Sequence, residues 1–279
     1  WKFGQFLLLL VCGVSLPSLS GLLVPPFSLI PTTWDWPYRV TLSTAFLTLS
    51  LISNRRNASK KYCRVFFVFF IASLAINLQA LSGFLNFPST PVYNIALSMV
   101  SSTLLVTVPI IGLTLVSGED LSSVFLAKGR LKFGLIVGLI GFTVFALVSI
   151  PAATFLFQGR NLTVDRALGW AAPILITVLL NGVREELLYR GLFFKKYESF
   201  LGSRPSNVLQ AIIFSLSHSV AGQGGSSYTQ FIPILVVFTL GLGLVWGLLM
   251  QKTNGLLGSV LFHAGSDIPV FLGIFSNLT

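Results

Sequence analysis

Two adjacent glutamates, Glu185 and Glu186, stand between Arg184 and Arg190. These four charges interrupt an apolar run that begins at Trp170 and resumes at Gly191-Leu-Phe-Phe194, in a chain of which only 9% is charged. An ionisable group inside a membrane-type helix is costly and is normally kept facing a bundle interior or a wet cavity, so such groups mark functional sites. The chain has two histidines, His218 and His263, each in another apolar run, and Asp267 lies four residues after the second. Buried carboxylates and imidazoles together offer a base for water and a donor for a developing oxyanion, the two requirements of peptide hydrolysis. The same side chains, Glu185, His218, His263 and Asp267, also make a donor set for a divalent ion and its activated water.

Spacing divides the labour. On an α-helix Glu186 and Arg190 are four apart and pair on one face, whereas Glu185 points about 100° away from Glu186. Glu186–Arg190 is therefore expected to be a structural ion pair, with Glu185 the carboxylate aimed into the cavity. Arg184 is expected to face a lipid headgroup or another helix. His263 and Asp267 share a helical face, so Asp267 is placed to orient the imidazole or to share a ligand with it. Any one of these groups alone would read as polar glue between helices; the full constellation reads as an active centre.

The elements that must hold these groups are membrane helices. Apolar residues make up 54% of the 279 residues and mean hydropathy is +0.86, outside the range of a soluble domain. The expected fold is an all-α polytopic transmembrane bundle of about eight to nine spans. Its apolar segments are about 3–24, 40–53, 65–87, 93–116, 133–157, 169–194, 206–220, 231–250 and 256–275. The first is closed by Pro25-Pro26, and Trp34, Trp36 and Tyr38 suit an interfacial aromatic belt. A Gly-rich connector occupies 222–227. The loop 118–132 reads as a surface helix started at Asp120, with its basic residues at the far end where they suit the helix dipole. The Phe-rich stripe 65–70 is core filler or lipid-facing.

The net charge of +10 points to topology rather than to nucleic acid. With a cytoplasmic N-terminus, the basic clusters 55–64, 128–132 and 195–204 and Lys252 all fall inside, and only Arg39, Arg160 and Arg166 fall opposite, as the positive-inside rule requires. The sequons Asn57-Ala-Ser59 and Asn161-Leu-Thr163 are weak signals, the first being on the cytoplasmic side. Cys12 and Cys63 have neither disulfide-framework nor zinc-ligand spacing. Residues 2–24 also admit a signal-peptide reading, although the topology works better with that segment retained. No internal repeat of the kind found in many transporters is visible, which weighs against a channel or carrier.

At this level the chain resembles a known family, the CAAX proteases and bacteriocin-processing enzymes (CPBP, or Abi), whose members resemble the Ras-converting CAAX endopeptidase. Glu185-Glu-Leu-Leu-Tyr-Arg190 is similar to the family's E-E-x-x-x-R motif, Phe214 to His218 to its F-x-x-x-H motif, and His263 to Asp267 to its H-x-x-x-[N/D] motif. The resemblance covers roughly the last 110 residues, so that 169–279 is expected to be the catalytic core and 1–168 a set of helices of unassigned role. It implies a glutamate-type intramembrane endopeptidase without cofactor. Glu185, assisted by His218, would activate water, His263 and residue 267 would stabilise the oxyanion, and Glu186 and Arg190 would hold the first motif in shape. The implied partners are membrane lipid and a peptide or membrane-protein substrate, with other membrane subunits also compatible. One departure matters: the eukaryotic-type motif ends in Asn, whose amide donates, while an ionised Asp267 only accepts. Asp267 is then protonated by burial, or fixes the tautomer of His263, or helps hold a metal. Two readings stand beside the metal-free protease: a metal-dependent one using the same residues, and a non-catalytic scaffold, assembly or immunity factor, since fold and motif do not guarantee turnover.

Overall fold

The computed structural model describes residues 2–17, 35–55, 60–85, 87, 89–218 and 232–278. The Pro25-Pro26 stop, Trp34, the Asn57–Ser59 sequon and the Gly-rich connector at 222–227 lie outside them. The described chain is helical: α1 (Lys2–Pro17), α2 (Asp35–Arg55), α3 (Lys60–Ala80), α4 (Pro91–Val116), α5 (Leu131–Leu147), α6 (Ser149–Leu156), α7 (Val164–Gly169), α8 (Ala171–Glu185), a π-helix (Glu186–Gly191), α9 (Phe194–Leu201), α10 (Ser203–His218), α11 (Ile232–Thr253) and α12 (Leu257–Ser276). No strand occurs among the described residues. The all-α membrane fold class is as expected.

Four described helices are long and apolar enough to cross a membrane, or five if one bent pair counts as a single span. Helix α8 has 15 residues before the π-helix begins. The segment expected at 133–157 is two helices bent by 61°. Pro151 explains the break, because its ring clashes with the carbonyl four residues back, at Leu147, where α5 ends. The segment expected at 169–194 is likewise interrupted, by the π-helix. Between α4 and α5 the expected surface helix is one 3-10 turn, Leu121–Val124, closed by Ser123 N–H donating to Asp120 O at 2.8 Å.

Two compact units result, each drawn from three stretches of chain. The first comprises 1–77, 109–124 and 188–247. In it α1 packs on α9 and α10, and Gly13 admits the Ile213 side chain so closely that a Cβ would lie 2.2 Å from it. Phe69, from the Phe-rich stripe, is fully buried with its ring 5.0 Å from Phe46 and 5.1 Å from Phe193. Its stripe neighbours Phe66, Phe67 and Phe70 are only half-buried. Polar side chains tie α10 to α11, Asn207 Nδ2 donating to Leu244 O at 3.0 Å and Gln210 Nε2 to Gly243 O at 3.2 Å.

The second unit comprises 78–108, 125–187 and 248–279. Its centre is α12, which packs on α5, α6 and α8 over a core that includes Val178, Ala264, Leu272 and Phe275. The α5–α12 contact is between backbones. A Cβ on Gly138 would sit 2.6 Å from Gly258 O, and one on Gly265 would sit 2.4 Å from Phe142 Cα. Close approach at small residues is the usual means of helix association in lipid. The start of α5 is pinned by Arg130 N–H to Thr253 O at 2.7 Å.

Candidate active site

Helix α8 delivers the paired glutamates. Pro173 lies in its first turn, where backbone N–H groups have no intrahelical partner to lose, and the run Ile174 to Leu180 carries it to Asn181. Asn181 and Glu185 are four apart and so share a face. After Glu185 the backbone widens into the π-helix, a departure that occurs mostly at functional sites.

Within the second unit the two glutamates bracket one imidazole. His263 Nδ1 is 2.8 Å from Glu186 Oε1, and its Nε2 is 3.6 Å from Glu185 Oε2 and 3.6 Å from Asp267 Oδ2. The roughly 100° step between consecutive helical residues lets the neighbours address opposite edges of the ring. A carboxylate only accepts, so Nδ1 carries the proton donated to Glu186. The two contacts at Nε2 are too long for direct hydrogen bonds and match a spacing that a water molecule can bridge. The inner side is dry: the Glu186 side chain is 0% exposed and that of His263 2%, against 13% for Glu185 and 14% for Asp267.

Three further side chains enter this cluster. Arg184 donates from Nη1 to Ser102 Oγ at 2.8 Å and from Nη2 to Glu185 Oε1 at 2.9 Å, with Nη2 also bonded to Asn181 Oδ1. Asn181 Nδ2 in turn donates to Asp267 Oδ2 at 2.8 Å. A polar chain thus runs from Ser102 on α4 through Arg184 and Asn181 to Asp267 on α12.

The side chains differ from the sequence expectations at one point, the partner of His263 Nδ1. Arg184 meets another helix, one of its two expected surroundings, through Ser102 on α4, while Glu185 and Asn181 also hold its guanidinium. The group in contact with Nδ1 of His263 is Glu186, whereas Asp267 is engaged by Asn181. Glu186 and Arg190 both lie in the π-helix. Asn181 and Ser102 were missed. Asn181, four residues before Glu185 in an apolar helix, was a readable signal; Ser102 carried none.

His218 and Arg190 fall in the first unit. His218 is the last residue of α10, with Nδ1 2.9 Å from Phe214 O, 3.4 Å from Ser217 Oγ and its ring centroid 4.3 Å from that of Phe214. Donation from Nδ1–H to the carbonyl makes Nε2 the basic nitrogen. Arg190 is fully buried, its Cζ 4.2 Å from the Phe214 ring centroid and 4.9 Å from that of Trp246. Gly243 makes room for it: a Cβ there would lie 3.2 Å from Arg190 Nη2. The F-x-x-x-H phenylalanine thus stacks against both the motif's histidine and the first motif's arginine. Among the described residues no three His, Cys, Asp or Glu side chains are grouped so as to hold a metal ion.

Residues 167–268 match the family model described as type II CAAX prenyl endopeptidase Rce1-like. This segment contains all three motifs and is the family that they resemble. No curated protein and no solved structure matches the chain.

Proposed function

We propose, from an Rce1-like domain over residues 167–268 in an all-helical membrane protein, that the chain is a glutamate-type intramembrane endopeptidase. Its substrate would be the C-terminal region of a lipidated or membrane-associated protein. The observation that supports the reading most is the bracketing of His263 by Glu185 and Glu186, with the more exposed carboxylate on the Nε2 side. Glu185 takes a proton from water, and the hydroxide attacks the scissile carbonyl. His263, carrying protons on both nitrogens among three carboxylates, donates from Nε2 to the oxyanion while Glu186 holds Nδ1–H. On collapse the C–N bond breaks and the proton held by Glu185 passes to the leaving amine. His218 assists Glu185 in activating water, and Asp267, engaged by Asn181, steadies the Nε2 edge of His263 so that the imidazole faces the oxyanion. Arg190 holds the first motif in shape.

In this reading 169–279 is the catalytic core, no cofactor is used, and the chain crosses the membrane several times with a cytoplasmic N-terminus. The test is cleavage of a farnesylated reporter peptide ending in a CAAX sequence by the full chain in detergent, with and without a chelator, beside Glu185→Ala. Cleavage lost in the variant and unaffected by chelation supports the glutamate mechanism. Loss on chelation, reversed by added metal, would replace it with the metal-dependent one. An intact chain that cleaves neither this reporter nor a membrane extract would leave the scaffold reading.

A further inference from the structure

A second site lies wholly within the first unit. A cavity of about 310 Å³ opens beside the N-terminal end of α3 and the C-terminal end of α4, both helices long and apolar enough to cross a membrane. Its charged lining is Arg64, Glu119 and Lys196; its apolar lining includes Phe67, Val68 and Ile71. None of these residues belongs to the three motifs. The 3-10 turn after α4 brings Glu119 to the site, where it accepts from Lys196 Nζ and stands 3.9 Å from Arg64 Nε. The carboxyl of Glu119 is opposed by its own burial but is held below the ordinary glutamate value by the ammonium and guanidinium beside it, so it is ionised at neutral pH.

The charges do not cancel. Two cations face one carboxylate. An ammonium has three N–H donors, of which Glu119 accepts one, and the Arg64 side chain is 80% exposed while that of Lys196 is only 12% exposed. A guanidinium fork with an ammonium beside it is the arrangement that phosphate oxygens select. The apolar part runs inward along α3. From Arg64 to Ile71 the helix rises about 10 Å, from the span boundary to acyl-chain depth. The cavity is therefore cationic at headgroup level and apolar below it. Its volume is at the small end for a ligand site, enough for one headgroup and the first part of one chain.

We infer that this cavity binds an anionic phospholipid of the surrounding bilayer, its phosphate on Arg64 and Lys196 and one acyl chain along Phe67, Val68 and Ile71. Glu119 sets the selectivity. It holds Lys196 in place and repels a second negative charge, so a singly charged headgroup is preferred to a multiply charged one.

The test uses the full chain in a nonionic detergent and short-chain lipids, with the shift in unfolding temperature as readout. Short-chain phosphatidylglycerol is expected to raise the unfolding temperature saturably, and phosphatidylcholine of the same chain length to do so at least tenfold more weakly. Arg64→Gln, at an exposed position that does not endanger the fold, should weaken the phosphatidylglycerol response by about tenfold. Val68→Trp should abolish it by filling the apolar end, and Glu119→Gln should strengthen it. Inorganic phosphate is the separate arm. If phosphate alone saturates the site as well as the lipid does, and Val68→Trp leaves that binding intact, the site holds a free anion and the lipid assignment fails. Equal responses to the two lipids, or a phosphatidylglycerol response untouched by Arg64→Gln, would also overturn it.

Discussion

Replacing Gly265 by alanine adds one methyl group at a point where α12 touches the backbone of α5. That carbon would stand 2.4 Å from Phe142 Cα and 3.1 Å from Phe142 N, whereas carbon atoms settle at about 3.5–4.0 Å. The opposing atoms are main chain, so no rotamer change relieves the clash, and the helices must part locally by about 1 Å. Overpacking of this kind costs about 1–3 kcal/mol, partly offset by about 1 kcal/mol from the better helix propensity of alanine. Gly112 in α4 provides the control, because a Cβ there meets nothing within 4 Å. Gly112→Ala should leave stability unchanged or raise it by up to about 1 kcal/mol, while Gly265→Ala should lower it by up to about 2 kcal/mol. The consequence for the site is larger than that for the fold. Gly265 is two residues from His263, and a displacement of about 1 Å at reacting groups costs about 10²-fold in rate. The assay pairs thermal unfolding in detergent with reporter cleavage for both variants. A Gly265→Ala protein that melts and cleaves like Gly112→Ala would refute the close-packed α5–α12 contact as the support of the site.

Further outcomes follow from the side-chain network. Glu186→Gln keeps an acceptor for His263 Nδ1–H but removes its charge. A hydrogen bond to a charged group exceeds a neutral one by about 1–1.5 kcal/mol, so kcat should fall about tenfold, against about 10²–10⁴-fold for Glu185→Gln if Glu185 is the base; equal losses would contradict the two roles. Asn181→Ala should lower kcat with little change in unfolding temperature, because it releases Asp267 and Arg184 together, and Asn181→Asp should not restore it, since a carboxylate cannot donate to Asp267. Trp246→Ala removes a buried ring against Arg190 and should destabilise the fold by about 3–5 kcal/mol, read by thermal unfolding. The Glu119 carboxyl, its pKa lowered on folding from the ordinary value of 4.5, contributes stability that is present above that value and lost as pH falls through its folded value. Glu119→Gln should therefore flatten the acid side of the stability profile, and an unchanged profile would exclude the pair with Lys196 in solution.

How much was readable from the chain varied with the range of the interaction. Apolar runs located α4, α11 and α12 to within two or three residues, because a helix in lipid is set by its own composition. The bend at α5–α6 was also written locally, in Pro151, but was passed over within a continuous apolar run. The grouping of Glu185 with His263 and Asp267 was legible because polar residues in apolar helices have few places to go. Which atom meets which was not. Glu186 at Nδ1 of His263 depends on the rotation of α8 against α12, which no spacing within one helix encodes. Ser102 as a partner of Arg184 depends on a contact across 82 positions of chain. The π-helix at 186–191 has no periodic signature of its own.

That wide turn has a consequence for how the motif can vary. A π-helical stretch bonds residue i to i+5 and so holds one residue more per turn than an α-helix does. Deleting a single position among Leu187, Leu188 and Tyr189 would let the hydrogen-bond ladder close as ordinary α-helix. The result would be a more regular helix, without the wide turn and the hydrogen-bond pattern it carries next to Glu185. Length here is therefore information. Side chains in the interval can be exchanged for others of similar size at modest cost, whereas the loss of one residue removes the wide turn itself.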